Sequence, residues 1–387
     1  MLLPEDLRLL ITLQDNPLGT YNELASVLGI TPPTVKARLL RLCEKLDSTP
    51  DPHIPTILVR ADLNLKALGL EMLNVMVQTS SLRMTKQLEK VIRQHPFVSY
   101  QVRCMGKNQG LYTQFRIPKG TSPKIQNFFS QIQQQKPGLV ERFHFFPTHE
   151  LSVYTNFDLQ AWSEEDNTWV FDWQKWISGI DSVPSEPWNT SQTKQPKLVL
   201  NQLTNFDLQI LQEVTWNARR RNKELISILS TDYRYNNGSN TSRTIEPYQM
   251  TRRLKFLNEQ VITGYRVHPN WKIFNIFDSL LFLCRVPRDV AYKWAQLLRR
   301  NPIPFQSTFQ VLSNGFLWFI GCPSTQFSEI SEVIWEYTSD FDLYLLDYRS
   351  SVVYEIWWKI FDENTKSWRI DDNFMIDTPL KELETIS

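Results

Sequence analysis

The chain has 387 residues, 42% of them hydrophobic and 21% charged, with a net charge of +1. That length and apolar content allow about two to four packed domains. No apolar run approaches the roughly 20 residues of a membrane helix, and the near-zero net charge confines any nucleic-acid binding to local basic faces.

The first elements in chain order are three helices near Glu5–Asn16, Tyr21–Gly29 and Pro32–Leu46, each with apolar residues at three- and four-residue spacing. Gly29–Thr31 reads as the tight turn of a helix-turn-helix, with Thr31 as N-cap and Pro32 at the first helical position. A short strand at Thr56–Arg60 extends the motif to a winged form. Next comes a β-α-β-β-α-β order: strand Glu71–Thr79, helix Arg83–Gln94, strands Phe97–Met105 and Gly110–Ile117, helix Ser122–Gln134 and strand Val140–Phe146. This order predicts a ferredoxin-like sandwich, with helices on one face of an antiparallel sheet and something else covering the other. A polar turn between aromatic strands, Trp162–Trp169, predicts an appended hairpin. Ser182–Lys197, rich in Pro, Ser and Thr, reads as a linker.

The whole order then repeats. Asp6–Gly29 aligns without gaps with Asp207–Ser230, with eight identities. Pro32, Val35, Arg38, Leu39 and Leu42 correspond to Pro247, Met250, Arg253, Leu254 and Leu257 after a 14-residue insert near Thr231–Thr244. A wing strand is expected at Val261–Val267. A second β-α-β-β-α-β module follows, with strands Ser279–Val286, Phe305–Leu312, Phe316–Cys322 and Asp340–Tyr348 and helices Asp289–Arg299 and Thr325–Tyr337. Phe361–Trp368 predicts a second hairpin. A repeat this long indicates duplication of a two-domain unit rather than a solenoid.

The expected fold class is therefore α+β: a duplicated winged helix-turn-helix followed by a ferredoxin-like domain, each unit with an appended β-hairpin. The expected boundaries are 1–62 and 63–152, hairpin and linker 153–200, then 201–270 (insert 231–244), 271–350, and hairpin and tail 351–387.

The two third helices differ on a helical wheel. Val35, Leu39, Leu42 and Leu46 form the buried stripe of the first. Its opposite face is Pro33, Ala37, Leu40 and Glu44, flanked by Thr34, Lys36 and Arg41. The corresponding face of the second is Tyr248, Arg252, Lys255 and Glu259, flanked by Gln249 and Thr251. Arg, Lys and Gln are the side chains of groove readout and phosphate contact. Arg219, Arg220, Arg221 and Lys223 add a basic cluster at the start of the preceding helix, which crosses the DNA backbone in such motifs. Met1–Asp62 holds six basic and eight acidic residues, a net −2, whereas Leu203–His268 holds ten and six, a net +4. The second module is thus the expected main DNA reader, with Thr34, Lys36 and Arg41 as the first module's candidates. The insert is expected to be a surface loop, with Arg234 and Arg243 as its candidate DNA contacts. Arg38 and Arg253 sit beside the buried stripe, and Arg38–Glu23 and Arg253–Glu224 ion pairs are expected.

These residues resemble the Lrp/AsnC family of transcription regulators. The likeness is carried in the second copy by Leu208–Leu225, Met250–Leu257 and Val261–Arg266, and in the first by Glu23–Gly29, Val35–Leu42 and Ala61–Glu71. It spans most of the chain as two head-to-tail copies. The resemblance implies a prokaryotic, cytoplasmic regulator that binds double-stranded DNA and takes a small-molecule effector. Duplication would supply an intrachain pseudo-dimer, open to further homo-oligomerisation. The family's Gly-x-x-Asp signature is replaced by Gly106–Gln109 and Leu312–Gly315, which lack the acid, a departure that bears on amino-acid sensing.

Catalytic signals are sparse. No Gly-rich phosphate loop or GxSxG elbow occurs, and His53, His95, His144, His149 and His268 show no metal-ligand spacing except for His144–His149, whose members face opposite sides of a strand-like segment. Cys43, Cys104, Cys284 and Cys322 form no CxxC pair and read as buried reduced thiols. The N-terminus lacks the pattern of a secretory signal. No enzyme activity, cofactor or metal is expected. The resemblance also reaches the siroheme decarboxylases, a tandem enzymatic offshoot that uses histidines around its second and third sensing-domain strands. Here Ser99–Tyr112 holds none. The alternatives are thus a non-DNA protein-interaction or architectural protein and, more remotely, a tetrapyrrole enzyme.

Overall fold

The computed structural model describes residues 4–43, 57–147, 152–163, 165–166, 168–187, 197–232, 235, 244–274, 276–277 and 279–385. The first copy runs α1 (Pro4–Asp15), α2 (Tyr21–Leu28), α3 (Pro32–Cys43), β1 (Ile57–Leu63), β2 (Leu70–Gln78), α4 (Leu82–Arg93), β3 (Val98–Gly106), β4 (Gly110–Pro118), α5 (Ser122–Gln135) and β5 (Arg142–Pro147). After it come β6 (Ser152–Thr155), the hairpin β7 (Trp162–Ser163) and β8 (Thr168–Trp169), and α6 (Trp173–Ile177). The second copy runs α7 (Asn205–Trp216), α8 (Asn222–Thr231), α9 (Pro247–Gln260), β9 (Ile262–Pro269), β10 (Ser279–Cys284), α10 (Arg288–Arg300), β11 (Gln306–Leu312), β12 (Gly315–Gly321), α11 (Phe327–Tyr337) and β13 (Phe341–Leu346). It closes with β14 (Val352–Val353), the hairpin β15 (Phe361–Asp362) and β16 (Ser367–Trp368), and the short helices α12 (Thr378–Leu380) and α13 (Glu382–Thr385). The duplicated α+β architecture is present, hairpins included. The expected end of the third helix at Leu46, Arg234 and Arg243 of the insert, His53 and His149 lie outside the described residues.

The chain divides into two compact units that do not follow chain order. The first unit gathers both helix-turn-helix modules: residues 1–70, 195–273 and 355–369. Its centre is the pairing of the two wings, β1 antiparallel to β9 from Ile57↔Pro269 to Leu63↔Ile262. Each first helix packs across this ribbon, α7 on β1 and α1 on β9, so α7 buries Leu208, Ile210, Leu211 and Val214 together. The helix starts are fixed by local chemistry. Thr20 accepts from Glu23 N while the Glu23 carboxylate accepts from Thr20 N, and Thr204 and Asp207 repeat the arrangement at α7. Such reciprocal caps satisfy two otherwise orphaned donors. Gly29 closes α2 in the left-handed region, φ 66°, a conformation that disfavours residues with a Cβ. The hairpin Phe361–Trp368 also belongs to this unit, where Trp368 Nε1 donates to Leu68 O at 2.8 Å.

The second unit contains residues 71–194, 274–354 and 370–387. Its ten-stranded sheet runs β5-β2-β4-β3-β13-β10-β12-β11-β6, with β14 also on β3. The two ferredoxin-like halves exchange their last strands. β6 of the first half pairs with β11 of the second, and β14 of the second pairs with β3 of the first. One face of each half meets its own helices, through Phe115 on Phe129 and through Trp318 on Trp294. The opposite faces meet each other: Met76, Val102, Cys104 and Tyr112 join Leu281, Leu283, Leu312, Leu317, Tyr344 and Leu346 in one core. Each half is thus the covering layer that the other's sheet requires. A polar cluster sits within this interior. Asn74 Nδ2 donates to Gln310 Oε1 at 2.7 Å, and the Tyr112 hydroxyl and Gln114 Nε2 donate to Asn74 Oδ1 at 2.8 and 2.9 Å. At Gly110 and Gly315 an added Cβ would fall 2.0 Å from Val77 O and 1.9 Å from Cys284 O, so the β3–β4 and β11–β12 hairpins both need glycine there.

Candidate nucleic-acid interface

α9 begins at Pro247, where the missing N–H leaves no intrahelical bond unmade. Its buried side is Met250 and Leu257, both fully enclosed. The opposite side is solvent: Tyr248 is 76% exposed, and Gln249, Thr251, Arg252 and Lys255 are exposed beside it. Lys255 makes only a loose 3.9 Å contact with Glu259 one turn on. Arg252 makes no ion pair among the described residues. Two mobile cations, an amide, a hydroxyl and a phenol on one helical face form a donor-rich surface suited to phosphates and base edges.

Arg253 plays another part. It donates from Nε to Asp207 Oδ1 at 2.6 Å, through its terminal nitrogen to Asp207 Oδ2, and to Gln202 O at 2.9 Å. Its guanidinium carbon also lies 4.5 Å from the Phe256 ring centroid. Asp207 is fully buried, so the pair ties α9 to α7 from inside. In the first copy Arg41, not Arg38, reaches the equivalent Asp6. The expected Arg38–Glu23 and Arg253–Glu224 pairs are therefore corrected. Both glutamates sit at the third position of a helix and turn back to its start, Glu23 to Thr20 N at 2.7 Å and Glu224 to Arg221 N at 3.2 Å. The backbone hydrogen bonds hold the Glu23 carboxyl below its ordinary value.

The basic cluster before α8 splits in two. Arg219 donates to Pro17 O and Gly19 O at 2.7 and 3.0 Å, linking the second copy to the first copy's α1–α2 turn. Arg220 pairs with the buried Glu213. Arg221 and Lys223 remain exposed. In the first module Lys36 is exposed, Arg41 is tied to Asp6, and Thr34 is half-buried with its hydroxyl 2.8 Å from that of Thr31. The first module's outward face is Pro33, Ala37 and Leu40, the last 51% exposed.

The described histidines are dispersed. His95 is enclosed by Phe97, Phe115 and Phe128, and burial pushes its pKa down to about 3. His268, on β9, is lowered to about 3 by burial and then by Arg60 and Arg266. His144 is exposed on β5. Cys104, Cys284 and Cys322 are buried free thiols, and burial raises all three. Among the described residues no cluster of three or more His, Cys, Asp or Glu side chains could hold a metal, and no helix is long and apolar enough to cross a membrane.

Residues 6–45 match the family model for winged helix-turn-helix DNA-binding. Among solved structures, the siroheme decarboxylase NirDL is similar over 99% of this chain and 99% of its own, at 11% identity and a TM-score of 0.53. The same enzyme in co-complex with an iron-uroporphyrin III analogue is similar over 99% and 100%, at 11% identity and 0.52. The regulator AsnC of E. coli is similar over 41% of this chain and 98% of its own, at 12% identity and 0.30. No curated protein matches the sequence.

The chain thus carries a winged helix-turn-helix over residues 6–45 and has a fold similar to that of NirDL along its length. One expectation is overturned: the sequence reading held that the chain is not an enzyme, whereas its fold matches that of an enzyme along the full length. The sequence points the other way because Ser99–Tyr112 holds no histidine, whereas the likeness lies in the backbone.

Proposed function

We propose that this chain is a cytoplasmic, sequence-specific DNA-binding transcription regulator of the Lrp/AsnC type, an internal pseudo-dimer that reads DNA mainly through its second helix-turn-helix. The observation that carries the reading is the exposed face of α9. Tyr248, Gln249, Thr251, Arg252 and Lys255 stand clear of the core, while the one arginine that packing needs, Arg253, is held apart by Asp207. Arg221 and Lys223 extend the cationic surface onto α8 for backbone contacts. Lys36, Thr34 and Arg41 offer at most a weaker second contact. Because the two modules differ, the operator is expected to be asymmetric, with one strong half-site rather than a palindrome. The test is capture of genomic fragments by the purified full chain at two salt concentrations, followed by sequencing. A discrete motif that survives the higher salt supports the reading. Uniform binding that vanishes with salt, or no binding, overturns it.

A second reading is favoured by the full-length likeness to NirDL: that the fold acts on a tetrapyrrole. Siroheme and iron-uroporphyrin are the probes. The expected sign is a saturable shift of the macrocycle's absorption bands, and an unchanged spectrum removes the reading. Of the described histidines, His95 is too deeply buried to reach a macrocycle without opening the core, whereas His268 is half-buried and His144 is exposed.

A further inference from the structure

On α7, Gln212, Glu213 and Trp216 fall at one- and four-residue spacing, which places them along one side of the helix. With Arg220 from the following turn and Glu355 they line a cleft of about 250 Å³ within the first unit. The Glu213 carboxylate is spoken for: Arg220 donates to one oxygen and the Tyr235 hydroxyl to the other. Two other oxygens are not. Gln212 Oε1 and Glu355 Oε1 are both buried and have no hydrogen-bond partner among the described residues. Trp216 stays 37% exposed, and the Arg60 guanidinium carbon lies 5.4 Å from its ring centroid.

A buried oxygen without a donor is destabilising, and native proteins keep few of them. Both orphans here are acceptors, so whatever completes the cleft must bring hydrogens. Of the two carboxylates in the lining, that of Glu213 is paired with Arg220, whereas Glu355 Oε1 has no partner, and the nearby Arg60 guanidinium is placed over the indole instead. The indole supplies an apolar wall and a ring face that attracts cations. The volume is below the ~300–1,000 Å³ of pockets for drug-sized ligands, which limits the occupant to a few carbon atoms beyond the charged group.

We propose that this cleft binds a small organic monocation with a primary ammonium, its N–H groups donating to Gln212 Oε1 and Glu355 Oε1 and its alkyl stem lying against Trp216. The site stands independently of the DNA-binding reading. The test is calorimetric titration of the full chain with n-butylammonium, with n-butanol as the uncharged isostere and potassium chloride at matched ionic strength. The expected result is saturable binding of the amine at one site per chain, no response to n-butanol, and at least tenfold weaker binding by Glu355→Gln. Heat that does not saturate, equal binding of n-butanol, or a response reproduced by potassium alone overturns the proposal. Since Glu355→Gln removes a buried charge, its fold is checked by circular dichroism. If that variant does not fold, the comparison of amine with alcohol on the unsubstituted protein decides.

Discussion

α3 and α9 occupy equivalent places in the two copies and bury equivalent residues, Val35, Leu39 and Leu42 in one and Met250 and Leu257 in the other. Their outward faces diverge position by position. Pro33, Ala37 and Leu40 stand where the second copy has Tyr248, Arg252 and Lys255. The same split shows in the ties beneath. Asp207 is sealed against an arginine only 17% exposed, whereas Asp6 holds an arginine 52% exposed. Packing constrains the inner face of both helices alike. The solvent face carries no such constraint, so its chemistry reports use rather than fold.

The largest effect expected from this difference is on stability. Asp207→Asn leaves Arg253 without its buried partner and should cost about 3–5 kcal/mol, whereas Asp6→Asn, with its arginine half in water, should cost about 1 kcal/mol or less. Urea unfolding of the two variants checks this, and equal losses would erase the distinction between the anchors. Next in size is DNA affinity. Arg252→Ala with Lys255→Ala should weaken binding at least tenfold, about 1.4 kcal/mol, and lower the salt slope by roughly 2 if both reach phosphates. Fluorescence anisotropy at several salt concentrations reads both quantities. Lys36→Ala in the same assay should change affinity less than about twofold, since an exposed lone contact contributes little.

A transplant sharpens the comparison further. Ala37→Arg with Leu40→Lys gives α3 the pair that α9 has, and should raise DNA affinity several-fold with a steeper salt dependence. An unchanged affinity would mean that α3 does not face DNA at all. The smallest effect is pH-dependent. His268 is neutral in the folded chain, with its pKa lowered to about 3, but takes a proton below about 6.5 when unfolded. Its contribution is therefore complete above pH 6.5 and is lost progressively as pH falls towards 3. Between pH 7 and 6 the loss is below about 1 kcal/mol. Urea midpoints measured across that range should flatten in His268→Gln, and an identical slope would place the titration elsewhere.

Much of this fold is legible because its periodicities are strong. The helical spacing of Leu7, Leu10, Leu24, Val35 and Leu39, and the offset to their counterparts in the second copy, follow from the need to bury one stripe per helix. The exposed faces of α3 and α9 follow from the same wheel. What escaped the sequence depends on contacts between distant segments. Glu23 and Glu224 carry the signature of helix starts, yet their recurrence beside Arg38 and Arg253 invited an ion-pair reading. The aspartates that hold the arginines, Asp6 and Asp207, recur just as plainly on the first helices. Asn74 and Gln310 gave a fainter signal, as polar residues at inward positions of apolar strands, and only the meeting of two sheets makes them partners. The cleft beside Trp216 could not be read at all, since Gln212 and Glu355 are joined only by folding.

The exchange of β6 and β14 carries one last consequence. A regulator built from two identical subunits writes both of its DNA-facing surfaces with one gene, so neither can change alone. Here each half lends its final strand to the other within a single chain, at an effective concentration no free partner could match. The halves cannot part, and so they need not remain alike. One surface can be relieved of a task while the other keeps it, and the shared sheet preserves the pair in the meantime.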